Sequence, residues 1–142
     1  MATNKIYAVI DTNVIVSALL AKNNKTNPSF VYEAVLDGTI IPVYNDEILD
    51  EYWEVLSRRN KFPFQEEDAD NVVNLVARTG LKLGRTATFE GVFPDPKDVV
   101  FYEVTLSKDD AYLVTGNIKH FPKKPFVVTP AEMVEILKKT LK

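Results

Sequence analysis

The stretch Lys5–Asn13, read as Lys-Ile-Tyr-Ala-Val-Ile-Asp-Thr-Asn, constrains this chain more than any other. Apolar residues run without a break from Ile6 to Ile10 and lead straight into a carboxylate and two small polar side chains. A short, continuous run rich in β-branched residues fits a strand buried on both faces, since a half-exposed strand would alternate. Asp11 then falls at the strand's carboxyl end, where open α/β sheets bind their ligands. Asp11, Thr12 and Asn13 are equally ordinary as helix caps. On this stretch alone, capping and chemistry both stay open.

Strands and helices alternate along the rest of the chain. Val14–Leu20 is apolar enough for a buried helix. Asn27-Pro28 reads as a cap and first turn, with Phe30, Val31, Ala34 and Val35 repeating at helical spacing and Gly38 closing the helix. Thr39–Tyr44 reads as a strand in which Pro42 argues for an edge or an end. Asn45 caps the next helix, whose inward stripe is Ile48, Leu49, Tyr52, Trp53 and Leu56. The acidic run from Gln65 to Asp70 opens a further helix that stops before Gly80. Leu81–Phe89 is a marginal strand. Asp95-Pro96 starts a helix reaching about Ser107, and Tyr112–Thr115 and Phe126–Val128 are short strands. Thr129-Pro130-Ala131-Glu132 is a capping box for the last helix, with Met133, Val134, Leu137 and Leu141 inside. The expected fold is α/β, an α/β/α sandwich with a central, mostly parallel sheet, and residues 1–142 are expected to form one domain.

Composition narrows the function classes. The chain has no cysteine and a single histidine, His120, so disulfides and thiolate zinc sites are excluded. It contains no apolar run long enough for a membrane span and no signal-peptide pattern, which points to a cytoplasmic protein with no membrane partner. A net charge of −3 argues against holding nucleic acid by global attraction. Local basic clusters are present at Arg58, Arg59 and Lys61, and at Lys119, His120, Lys123 and Lys124. Each is either plain solvated surface or a set of phosphate contacts.

Two strands end almost alike, in Ile10-Asp11-Thr12-Asn13 and in Val114-Thr115-Gly116-Asn117. Both bring small oxygen-bearing side chains to a carboxyl edge. Asp98 lies near a helix start and Glu51 within a helix, and each has a bland reading as a first-turn acid or a solvated face. Together with their neighbours they resemble the PIN-domain nucleases, specifically the group of VapC-like toxins from toxin–antitoxin pairs. The resemblance rests on Ile-Asp-Thr-Asn-Val-Ile-Val-Ser at 10–17, Ile-Leu-Asp-Glu-Tyr-Trp-Glu-Val-Leu-Ser-Arg at 48–58, Asp-Pro-Lys-Asp-Val-Val-Phe at 95–101 and Asp-Ala-Tyr-Leu-Val-Thr-Gly-Asn at 110–117.

That resemblance implies a PIN-like fold, a metal-dependent endoribonuclease and a catalytic set of Asp11, Glu51 and Asp98. The fourth family position, often aspartate, is Asn117 here. Hard cations such as Mg²⁺ or Mn²⁺ take oxygen ligands, so Asp11 and Asp98 are expected to bind directly, and Glu51 through water or at a second ion. Asn117 would add a carboxamide oxygen, and Thr12, Asn13 and Thr115 would orient waters or carboxylates. The implied partners are an RNA substrate, a small antitoxin and a second copy of the chain. A competing expectation keeps the fold as an RNA-binding or scaffold module whose metal site Asn117 has weakened. A phosphohydrolase of small esters is disfavoured, because no cap segment is evident to enclose such a substrate.

Overall fold

The computed structural model describes residues 5–21, 25–58, 61–85 and 88–140. The first half of the chain runs β1 (Ile6–Ile10), α1 (Thr12–Leu20), α2 (Asn27–Leu36), β2 (Ile40–Tyr44), α3 (Asp46–Leu56) and α4 (Glu66–Thr79). The second half runs β3 (Leu81–Lys82), α5 (Asp98–Leu106), β4 (Tyr112–Val114), a 3-10 turn at Ile118–His120, β5 (Val127–Val128) and α6 (Pro130–Thr140). The five strands form one sheet in the order β3-β2-β1-β4-β5, and every pairing is parallel.

The apolar run Ile6–Ile10 is the central strand because both of its faces are covered. Ala8 and Val9 have no solvent exposure. On one side Ile6 stands opposite Ile40, and on the other Ile10 stands opposite Val114. The chain steps outward from β1 to β2 and β3, then crosses back through α5 to β4. Right-handed crossovers in these opposite directions put α5 on the face away from α1 and α2. Ile10, Val14, Val31, Val35, Pro42 and Val76 line an apolar seam where α1, α2 and α4 meet over β1 and β2.

Local signals account for most element ends. Asn45 Oδ1 accepts from the Ile48 N–H at 2.9 Å, and Thr129 and Glu132 form the reciprocal capping box at 2.9 and 3.1 Å. Gly38 takes φ +87 after α2, a conformation that glycine adopts without strain. At Gly80 a Cβ would lie 2.4 Å from the Pro42 carbonyl oxygen and 2.6 Å from that of Val76, so the tight α4–β3 junction admits only glycine.

Several expectations change. Pro42 lies inside the sheet, not at an edge or end. It is tolerated there because β3 is so short that it pairs only with Val43 and Tyr44. Trp53 points outward, with its indole N–H on Asp70 Oδ1 at 2.9 Å, and Phe30 is also exposed. The cap of α2 is Thr26, whose hydroxyl accepts from the Ser29 N–H. Helix α5 begins at Asp98, after a turn in which Asp95 accepts from the Lys97 N–H. Of the expected strand Leu81–Phe89, Leu81–Lys82 pairs with β2, the other described residues do not pair as a strand, and Thr86 and Ala87 lie outside the described residues. Arg59 and Leu141 lie outside the described residues.

Candidate active site

β1 and β4 are neighbours in the sheet, but the chain leaves them toward opposite edges. Their carboxyl ends are therefore the topological switch point of the sheet, the place where open α/β sheets have their ligand crevice. The backbone ladder runs on past the strands, with the Asp11 N–H on the Val114 carbonyl at 2.9 Å. That register places Asp11 beside Thr115, whose hydroxyl donates to Asp11 Oδ2 at 2.7 Å. The Asn13 amide nitrogen donates to the same oxygen at 3.1 Å, while its Oδ1 accepts from the Gly116 N–H at 3.0 Å. Thr115 Oγ1 in turn accepts from the Asn117 N–H at 3.0 Å. One network therefore joins the two strand ends.

Asp11 stands at the backbone position of a helix cap, yet its side chain makes no capping bond to α1. The residue is only 5% exposed. Burial pushes its carboxyl up to about 6; the Thr115 hydroxyl and the Thr12 N–H oppose the rise, and the charges of Asp98 and Glu51 add to it. The acids are thus close enough to feel one another.

Glu51 comes from the middle of α3 and accepts from the Thr12 hydroxyl at 2.7 Å. Its neighbour Tyr52 is fully buried and donates its hydroxyl to the Ile10 carbonyl, which ties α3 to the end of β1. Asp98 opens α5, with Oδ2 at 3.5 Å from His120 Nδ1 in the 3-10 turn. Burial raises its carboxyl, as do Asp95 and Glu51, while His120 opposes them. Asn117 is exposed beside the crevice and is linked to it through its backbone.

The basic residues divide. Lys119 and His120 sit in the turn directly after Asn117. Arg58 is exposed and pairs with Glu54 at 3.0 Å, and Lys61 lies 5.7 Å from the Phe62 ring centroid. The pairing of Arg85 with Glu103, flanked by Glu47, was not foreseen. Glu103 is buried within α5 and accepts from the Phe89 N–H at 2.7 Å and from the Arg85 guanidinium. The available signal was an acid inside the apolar stretch Val99–Val104. Arg85 itself stands in a segment without periodicity.

Among the described residues, no three acid or imidazole side chains are gathered tightly enough to enclose an ion. The donor set still fits a hard divalent cation. Mg²⁺ keeps several waters and takes only one or two carboxylates, and Asp11 is a buried, crowded carboxyl that a nearby positive charge would relieve.

Fold and crevice together define an open, all-parallel α/β protein with acids around its topological switch point. The chain matches the family model described as PIN domain over residues 7–119, well over half its length and spanning all three acids. It belongs to the PIN-domain family, whose members are in general metal-dependent nucleases. No curated protein and no solved structure matches the chain. No helix among the described residues is long and apolar enough to cross a membrane.

Proposed function

We propose that this chain is a divalent-metal-dependent endoribonuclease, the toxin of a type II toxin–antitoxin pair, built as one PIN-like domain over residues 1–142. The observation that carries the reading is Asp11. It is a buried carboxylate held by neutral donors alone and crowded by two further acids. An arrangement that costs stability and serves no cap is typical of a functional site.

Asp11 and Asp98 would hold Mg²⁺ or Mn²⁺ directly, with Glu51 acting through water and Asn117 offering its carboxamide oxygen. The chemistry such an ion supplies when bound is polarisation of the scissile phosphate and acidification of a water toward hydroxide. Thr115 and Asn13 converge on one oxygen of Asp11 and fix the plane of its carboxylate. Thr12 sets the orientation of Glu51. Lys119 and His120 follow Asn117 directly and contact the RNA backbone, and Arg58, Arg59 and Lys61 supply further phosphate contacts. The protein acts in the cytoplasm, pairs with a second copy of itself, and is restrained by a small antitoxin.

The test is cleavage of RNA with Mn²⁺ or Mg²⁺ by the purified protein, its Asp11→Asn variant and a chelated control. We expect chelation to stop cleavage and the substitution to lower it by about 10²-fold or more. Cleavage that ignores both treatments overturns the mechanism. RNA binding without any cleavage supports the competing scaffold module, which the carboxamide at Asn117 in place of a fourth acid favours.

A further inference from the structure

Arg85 emerges from the carboxyl end of β3, on the same sheet edge as Asp11 and Thr115. Its guanidinium has two unlike neighbours. Nε and Nη2 both bond to Oε1 of Glu103, whose side chain is 6% exposed and which also takes the Phe89 N–H. Nη1 faces Glu47, with Oε1 at 3.1 Å and Oε2 at 3.2 Å, and that carboxylate is 58% exposed. One acid is thus a fixed anchor and the other a surface group. Glu47 and Glu51 are four residues apart on α3, neighbours on one helix face at about 5–6 Å.

We propose that Arg85 is a phosphate-binding residue of the nucleic-acid path, and that Glu47 occupies the place of a phosphate until substrate displaces it. The inference rests on the RNA reading above. Two oxygens of one anion before a single guanidinium nitrogen are what a phosphate's non-bridging oxygens would also present. The exchange leaves the Glu103 contact intact, so the arginine arrives already oriented and loses little freedom on binding. It also answers an electrostatic need. A polyanion must approach Asp11, Glu51 and Asp98, and Arg85 brings a permanent charge to that edge, whereas His120 is already beside Asp98. Lys82 lies on the same edge, paired with Asp46 at 3.1 Å, where both partners are more exposed than Arg85.

The experiment is a double-mutant cycle in the cleavage-deficient Asp11→Asn background. Binding of a fluorescent single-stranded RNA of mixed sequence is followed by anisotropy across a salt series. Glu47→Gln removes the competing carboxylate and should tighten binding about fivefold, a modest coupling for groups in contact. The gain should vanish when Arg85→Gln is combined with Glu103→Gln, and that pair should also lower the salt slope by about 0.7, the one phosphate contact on a single strand that Arg85 makes. The second change keeps an acceptor for the Phe89 N–H and avoids a buried unpaired charge, and thermal melts verify folding. If that pair does not fold, Arg85→Lys replaces it and should lose most of the gain, because a lysine lacks the fork. The same gain in every background is general charge relief and overturns the proposal, as does no gain from Glu47→Gln. If none of the proteins binds RNA, the ribonuclease reading fails and takes this inference with it.

Discussion

Asp11 and Glu103 are 5% and 4% exposed, yet their carboxyls shift in opposite directions. Burial pushes both up. At Glu103 the Phe89 N–H and the Arg85 guanidinium more than offset it, leaving the carboxyl below its ordinary value. At Asp11 the helpers are neutral and the charged neighbours are acids, so the carboxyl ends near 6. A buried charge is tolerable when paired and hydrogen-bonded, and expensive otherwise. Glu103 is completed by its own chain and ties the segment after β3 to α5. Asp11 is left incomplete by its own chain. That contrast, more than burial, separates an acid whose charge the fold satisfies from one whose charge it leaves uncompensated.

The sharpest way to break the comparison is Glu103→Ala. It leaves the Phe89 N–H unpaired and the guanidinium with Glu47 alone, and should cost about 3 kcal/mol, the low end for a broken buried pair because Arg85 is a third exposed and keeps that second partner. Chemical denaturation measures it. A loss under about 1 kcal/mol would mean the pair does not hold the fold.

Next comes Asp11→Asn in chelator, which keeps an acceptor for Thr115 and Asn13 and removes the crowded charge. A folded value near 6 against 3.8 in the unfolded chain implies a gain of about 1–3 kcal/mol at pH 7. The sign follows from linkage. A folded carboxyl with a raised pKa destabilises the native state when ionised, so the cost is full above about pH 6 and absent below about pH 4. The variant's advantage should shrink through that window. Glu103 behaves oppositely: its contribution is present at neutral pH and is lost on acidification. Millimolar Mn²⁺ should reverse the ranking at pH 7, because an ion bound only by folded wild type stabilises it by mass action. Melts that rank the two proteins identically with and without metal would remove Asp11 from the ligand set.

The smallest effect belongs to an exposed acid. Glu54 pairs with Arg58 on the surface of α3, and Arg58→Ala should cost no more than about 0.5 kcal/mol. If Arg58 contacts RNA, the same change lowers the salt slope of binding by about 0.7 for single strands, for all sequences alike. An unchanged slope returns Arg58 to ordinary surface.

Much of this was legible in the chain. The run Ile6–Ile10, the caps Asn45 and Thr129, and the glycines at 38 and 80 specify strands and helix ends through near neighbours, and the sheet is parallel as their alternation requires. The same local logic misplaced Trp53 and Phe30. An apolar residue at helical spacing faces inward only if the neighbouring element covers it, and Trp53 instead meets Asp70 at the rim of α3 and α4.

The residue types at the crevice, with Asp11 and Thr115 at strand ends, Asp98 at a helix start and Glu51 within a helix, were determined by the sequence alone. Whether Asp11 is a cap or a crowded acid was decided only in three dimensions. Its partner Thr115 is 104 residues away and arrives through the register of Ile10 with Val114. The Arg85–Glu103 pair likewise joins the segment after β3 to the helix that crosses back over the sheet. Periodicity and capping are properties of a few adjacent residues, so sequence carries them. The energy of a buried charge depends on which groups the fold brings beside it, and that belongs to the tertiary structure.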